Sequence, residues 1–214
     1  MEKKDRIFLI DFDNTLTNKD TTDTIMIKYN KTLLDNYQNR IRKGEINVKE
    51  YLSGLLESLT ISKEDFYKSI GDNVDIDNNF INFKNQIEDF RIVSAGTYEN
   101  IFAVLEKNKI NIDKKMIYAN ELLFLNNNKI KIEYPFDVDD CFEGVCKKSI
   151  VKKYKELYKE VVFIGDGLSD ISVCGVADII FARRDHSLEK YCEKNNISHI
   201  KYDDFDDIIK YYIK

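Results

Sequence analysis

Short apolar runs alternate with longer amphipathic ones through most of the chain. The runs at 6–10 (RIFLI), 90–95 (FRIVSA), 116–124 (MIYANELLF), 161–166 (VVFIGD), 178–182 (DIIFA) and 198–202 (SHIKY) are short, and several carry β-branched residues, so they are predicted as strands. Between them, 98–108, 147–158, 169–176 and 187–195 read as helices. Strands that are apolar throughout, instead of alternating, are strands covered on both faces. Alternating with helices, they predict an α/β fold with a parallel sheet and helices on both sides.

The alternation breaks after the first strand. Residues 19–87 contain no convincing strand and read as several helices. Within them 47–59 (NVKEYLSGLLESL) sets Val48, Tyr51, Leu52, Leu55, Leu56 and Leu59 on one face. This predicts a small helical cap domain at 19–87 inserted into a core made of 1–18 and 88–214. The run 122–135 reads as a hairpin, with Asn126 to Asn128 at its turn. A chain of 214 residues has room for one full core and such an elaboration.

Composition narrows the classes. Hydrophobic residues make up 43% and charged residues 33%, as in an ordinary soluble protein. No apolar run approaches the roughly 18 residues of a membrane helix, and the start, MEKKDRIFLIDFD, meets charge too soon for a secretory signal. The net charge of −5 is spread among interspersed lysines and acids, which argues against nucleic acid as a partner. The acids of YDDFDD (202–207) suit the start of a helix. Cys141, Cys146, Cys174 and Cys192 lack CxxC spacing, so reduced thiols in a cytoplasmic protein are expected, and no zinc site.

Four polar signatures then stand out, each at a strand end or helix start. The first strand runs into Asp11-Phe12-Asp13-Asn14-Thr15. A carboxylate there costs free energy unless something requires it. One aspartate can attack a phosphoryl group, and a second acid can protonate the leaving oxygen and then deprotonate water. In IVSAGT (92–97), Ser94 and the backbone N–H groups that follow offer a phosphate seat, although a helix N-cap would explain the serine alone. In EGVCKKSIV (143–151), Lys147 or Lys148 stands at a helix start, where the dipole disfavours a cation, and either can neutralise phosphate oxygens. In VVFIGDGLSD (161–170), Asp166 can join Asp11 in an oxygen-ligand Mg²⁺ site with Asp170 in support, and the glycines permit unusual backbone geometry. In a parallel sheet all strand C-terminal ends share one edge, where ligands bind. Carboxylates crowded there repel one another unless a divalent cation joins them.

With these four motifs in this order, the chain resembles the haloacid dehalogenase-like phosphatase superfamily. The resemblance spans essentially the whole chain and lies in the phosphoserine-phosphatase-like branch. DFDNTLTNKDTTD, GVCKKSIV, GDGLSD and ADIIFARRDHSLEKYCEKNNI resemble most the methionine-salvage group, the 2-hydroxy-3-keto-5-methylthiopentenyl-1-phosphate phosphatases, and its phosphocholine and pyridoxal-phosphate phosphatase relatives. The resemblance implies a Rossmann-like core and a Mg²⁺-dependent phosphomonoesterase acting on a small phosphorylated metabolite. It implies Asp11 as nucleophile and metal ligand, and Asp13 as general acid/base that also lends its carbonyl to the metal. Ser94, Gly96 and Lys147 would bind phosphate, Asp166 would ligate the metal, and Asp170 would support the site. Asp20 matches the acidic substrate-reading position of phosphoserine phosphatases, whereas their cap arginine falls near Leu55, which discounts phosphoserine. Ser169 stands where those enzymes commonly carry asparagine.

A phospho-accepting receiver domain is the alternative from another class, but it has no use for the acid/base Asp13. A true dehalogenase lacks the second aspartate. His186 and His199 lie at none of the four signatures and are assigned no catalytic role. Cys146, beside Lys147, is expected to serve packing.

Overall fold

The structure, a computed structural model, describes residues 2–87 and 89–212; the expected re-entry into the core at 88, and the outer limits 1 and 214, lie outside them. A seven-stranded sheet has the order β4-β3-β2-β1-β5-β6-β7. The strands are β1 (Lys4–Ile10), β2 (Phe90–Thr97), β3 (Ile117–Phe124), β4 (Ile130–Glu133), β5 (Tyr158–Gly165), β6 (Ile179–Arg183) and β7 (Ile200–Tyr202). β1 runs parallel to β2 and β5, β5 to β6, and β6 to β7. The predicted hairpin is the antiparallel pair β3 and β4, with Leu122 opposite Ile132. Asn127 and Asn128 adopt φ 61° and 59° at its turn, a conformation asparagine tolerates well.

The helices are α1 (Thr21–Arg42), α2 (Val48–Leu56), α3 (Lys63–Gly71), α4 (Phe80–Gln86), α5 (Tyr98–Lys107), α6 (Lys147–Leu157), α7 (Ser187–Lys194) and α8 (Phe205–Tyr212). The stretch expected as a helix at 169–176 is instead a 3-10 turn, Leu168–Val173, after which Cys174 is extended. No helix among the described residues is long and apolar enough to cross a membrane.

The chain forms two compact units. The first comprises Met1–Asn18, Ile76–Val93 and Lys147–Lys214. Ile7, Leu9 and Ile10 of β1 are fully buried there, which is why the strand is apolar on both faces. Aromatic rings close this core: Phe205 meets Phe80 and Phe83 edge-on at 5.5 and 5.0 Å, and Phe8 meets Phe83 at 5.2 Å. The second comprises Lys19–Asp75 and Ser94–Cys146. In it Asn30, at φ −157° and ψ 70°, breaks α1, and its side chain accepts the Leu33 N–H. α2 starts on a capping box of Asn47 and Glu50 and buries Leu52, Leu55 and Leu56, three of the residues expected on its apolar face. Gly54 lets α1 and α2 touch, since a Cβ there would lie 2.3 Å from the Tyr37 ring. The helices of 19–87 thus divide between the units, with α1 to α3 in the second and α4 in the first.

Candidate active site

β1 passes into the site without a break. The Asp11 N–H donates to the Ile164 carbonyl at 2.9 Å, which prolongs the pairing with β5, and Asp11 is buried. The chain then turns tightly. The Phe12 carbonyl accepts the N–H groups of Leu16 and Thr17 and the Thr17 hydroxyl, at 2.9, 3.0 and 3.1 Å. Asn14 sits at φ 53°, and Phe12 is fully buried between Asp11 and the half-buried Asp13.

Lys147, the first residue of α6, has no exposed surface, whereas Lys148 is exposed. Its ammonium donates to Asp11 Oδ1 at 2.7 Å, Asp170 Oδ1 at 2.6 Å and Ser169 Oγ at 3.1 Å. Of the two candidate lysines, Lys147 is the one that meets Asp11. Asp170 Oδ2 accepts the N–H groups of Asp166 and Gly167 at 3.0 and 2.9 Å, which winds the loop into its tight turn. The glycines flanking Asp166 serve a different end from the one expected. Gly167 has φ −109° and Gly165 has no positive φ either. What Gly165 supplies is space, because a Cβ there would lie 2.5 Å from Asp170 Oδ2.

The carboxylate oxygens of Asp11, Asp166 and Asp170 approach within 4.8 Å of one another. Burial, and then the charge of Asp170, push the Asp11 carboxyl well above its usual range, against the pull of Lys147. Burial also raises Asp170, with Lys147 opposing and Asp166 adding to the rise. Burial alone would lower Lys147, but Asp11 and Asp170 outweigh it, so the ammonium stays charged. One cation thus faces three carboxylates in a buried place. An all-oxygen donor set with excess negative charge fits a hard divalent ion such as Mg²⁺.

Three of the expected residues lie in the second unit. The Ser94 hydroxyl, 1% exposed within β2, accepts the Gly96 N–H at 3.0 Å. The strand runs on to Thr97, which caps α5 and pairs with Asn100. Asp20 caps α1 through the Asp23 N–H at 2.8 Å. Leu55, at the position where the resemblance would set an arginine, is fully buried in α2.

Four further side chains reach the acidic cluster or its loops. Ser169 accepts from Lys147. Thr15 Oγ1 donates to Asp166 Oδ1 at 3.4 Å, and His186 Nδ1 lies 2.9 Å from Asp166 Oδ2. Arg183 Nη1 donates to the Asn14 carbonyl at 2.6 Å. Thr15 was visible in the first motif. Nothing in sequence spacing links His186 or Arg183 to residues so far away along the chain.

Buried aspartates thus gather around one lysine where β1 and β5 end. A family model described as "Putative Phosphatase" matches residues 6–203, and the chain belongs to that phosphatase family. The chain is 31% identical over 207 residues to a 2-hydroxy-3-keto-5-methylthiopentenyl-1-phosphate phosphatase of Bacillus cereus (strain ATCC 10987 / NRS 248), covering 92% of this chain and 91% of that one. A Bacillus anthracis protein of the same name is 30% identical over the same shares. Among solved structures, a phospho-aspartyl intermediate analogue of phosphoserine phosphatase superposes with a TM-score of 0.73 at 22% identity, covering 98% and 99% of the two chains.

Proposed function

We propose that the protein hydrolyses a small phosphorylated metabolite through an aspartyl-phosphate on Asp11, with Mg²⁺ as cofactor. The observation that carries this reading is the buried Asp11 carboxylate at the end of β1, bonded to the buried Lys147. Asp11 attacks phosphorus and the bond to the leaving oxygen breaks, with Asp13 donating the proton that makes the leaving group an alcohol or enol. Water then attacks the aspartyl-phosphate while Asp13 takes its proton, which releases inorganic phosphate and restores Asp11. Lys147 holds Asp11 in line and offsets charge on the phosphoryl oxygens, and Ser94 and Gly96 would help to seat them. Asp11, Asp166 and the Asp13 carbonyl would hold Mg²⁺, with Asp170 in support; when bound, the ion supplies Lewis-acid charge to the phosphoryl oxygens.

The proposed substrate is the methionine-salvage enol phosphate for which the Bacillus relatives are named, a reading supported by similarity across nearly the whole chain. Of the helices in the 19–87 stretch, α1 to α3 would act as the cap that reads the leaving group, with Asp20 a specificity residue. Cys141, Cys146, Cys174 and Cys192 form no disulfide, which supports a cytoplasmic setting. Asp11→Asn is expected to lower hydrolysis of an aryl phosphate by at least about a thousandfold in the presence of Mg²⁺; retained activity refutes the nucleophile. Asp13→Asn should trap phosphoenzyme or stall before it, and wild-type turnover would exclude its proton role. A screen of the enol phosphate against phosphoserine, phosphocholine and pyridoxal phosphate tests the substrate, and a preference for phosphoserine would overturn it.

A further inference from the structure

We propose that His186 is a positioning residue for Asp166; the inference rests on the reading of Asp166 as a metal ligand. An ionised carboxylate only accepts hydrogen bonds, so the 2.9 Å contact between His186 Nδ1 and Asp166 Oδ2 puts a proton on Nδ1 whatever the charge of the ring. That bond engages Oδ2. Oδ1, with the longer 3.4 Å bond from Thr15, is the less committed oxygen and the one left to face an ion.

The same segment grips Asp166 a second time. Its backbone carbonyl accepts the Leu188 N–H, in the first turn of α7, at 2.8 Å. The connection from β6 to α7 therefore holds this residue by both main chain and side chain, and fixes the rotation of the carboxylate as well as its place. Hydrogen-bonding partners of this kind orient metal ligands so that binding does not have to order them.

The connection itself is braced. At its start, Arg183 reaches the Asn14 carbonyl, which ties it to the loop that follows Asp11. Asp185 adopts a left-handed φ of 64°, and its N–H is taken by the carboxylate of Glu189. Glu189 is 4% exposed and pairs with Lys201 of β7 at 2.6 Å. The His186 N–H donates to the Arg183 carbonyl at 3.3 Å. His186 thus stands on a fixed loop, while its own side chain is 37% exposed and can be replaced without opening a core.

Mn²⁺ binding to the purified full chain without substrate, read by electron paramagnetic resonance, tests this role. His186→Ala is expected to weaken Mn²⁺ binding by about tenfold or more, with the metal-free melting temperature unchanged. His186→Asn, whose amide nitrogen can stand where Nδ1 stands, should restore most of the affinity. His186→Phe, which fills the space without a donor, should behave like the alanine variant. Equal affinity in wild type and His186→Ala, or an asparagine variant as weak as alanine, overturns the positioning role. Wild-type protein that binds no Mn²⁺ would overturn the metal reading itself, a separate outcome.

Discussion

Asp11, Asp166 and Asp170 gather around Lys147, and further along the same compact unit Glu189 and Glu193 gather around Lys201 beside His199. Both groups bring their oxygen or nitrogen atoms within 4.8 Å of one another. The carboxyls respond in opposite directions. Asp11 and Asp170 are raised, chiefly by burial, whereas Glu189 is lowered, first by its hydrogen bond to Lys201. In the first group the lysine is fully buried and is outnumbered by the acids; in the second the lysine is 39% exposed, and water shares the work of solvation. In the second group Lys201 pairs with both glutamates, and Glu189 in turn braces the β6–α7 connection. The first holds negative charge it cannot satisfy, the state expected where a cation and a phosphate are to bind.

Replacing the two lysines is the sharpest way to break this comparison. Lys147→Met leaves Asp11 and Asp170 without their buried cation and is expected to cost about 3 kcal/mol in urea unfolding of the metal-free chain, along with phosphatase activity. Lys201→Met should cost far less, because exposed pairs contribute little. Equal shifts in the unfolding midpoints would show that burial does not separate the clusters.

Mg²⁺ comes next. At a hundredfold excess over its dissociation constant it should stabilise the chain by about 2.7 kcal/mol, read as a rise in melting temperature. The pH slope follows from the signs. Asp11 and Asp170, raised in the folded state, cost stability that grows as pH climbs above their usual value of 3.8 and through the raised one. Mg²⁺ competes with those protons, so its stabilising effect should shrink as pH falls through that window. Glu189 has the opposite slope: its contribution is present above 4.5 and is lost as pH falls through its lowered value. A Mg²⁺ effect that grows on acidification would contradict the assignment of the ion to the buried cluster.

Gly165→Ala is the mildest probe. The added methyl would press on Asp170 Oδ2, and an overpacked site typically costs about 1–3 kcal/mol. Circular dichroism melting and turnover should both report the loss. A variant with wild-type turnover would show that the position of Asp170 is not needed.

Much of this site was legible in the chain itself. Asp11, Asp166 and Asp170 announced themselves because carboxylates directly after apolar runs are costly without a purpose. The predicted strands appear in the sheet, and the face of α2 buries its leucines, since burial follows from each residue's own chemistry and from local period. The resemblance favours Lys147 over Lys148 where spacing alone leaves the choice open, and in the structure Lys147 is the buried one, bonded to Asp11. The stretch 169–176 reads as a helix from its sequence, but with Asp170 taking the N–H groups of Asp166 and Gly167 the chain forms a 3-10 turn there.

The order of apolar runs, the helical stretch after β1 and the polar strand ends were determined by the sequence, because each depends on neighbours a few residues apart. Tertiary structure alone decided which lysine meets Asp11 across 136 residues, why Gly165 bears no side chain, and that His186 closes on Asp166. Hydrogen bonds of about 3 Å between distant segments depend on where the sheet brings the chain back, and no local pattern of hydrophobic and polar residues encodes that return.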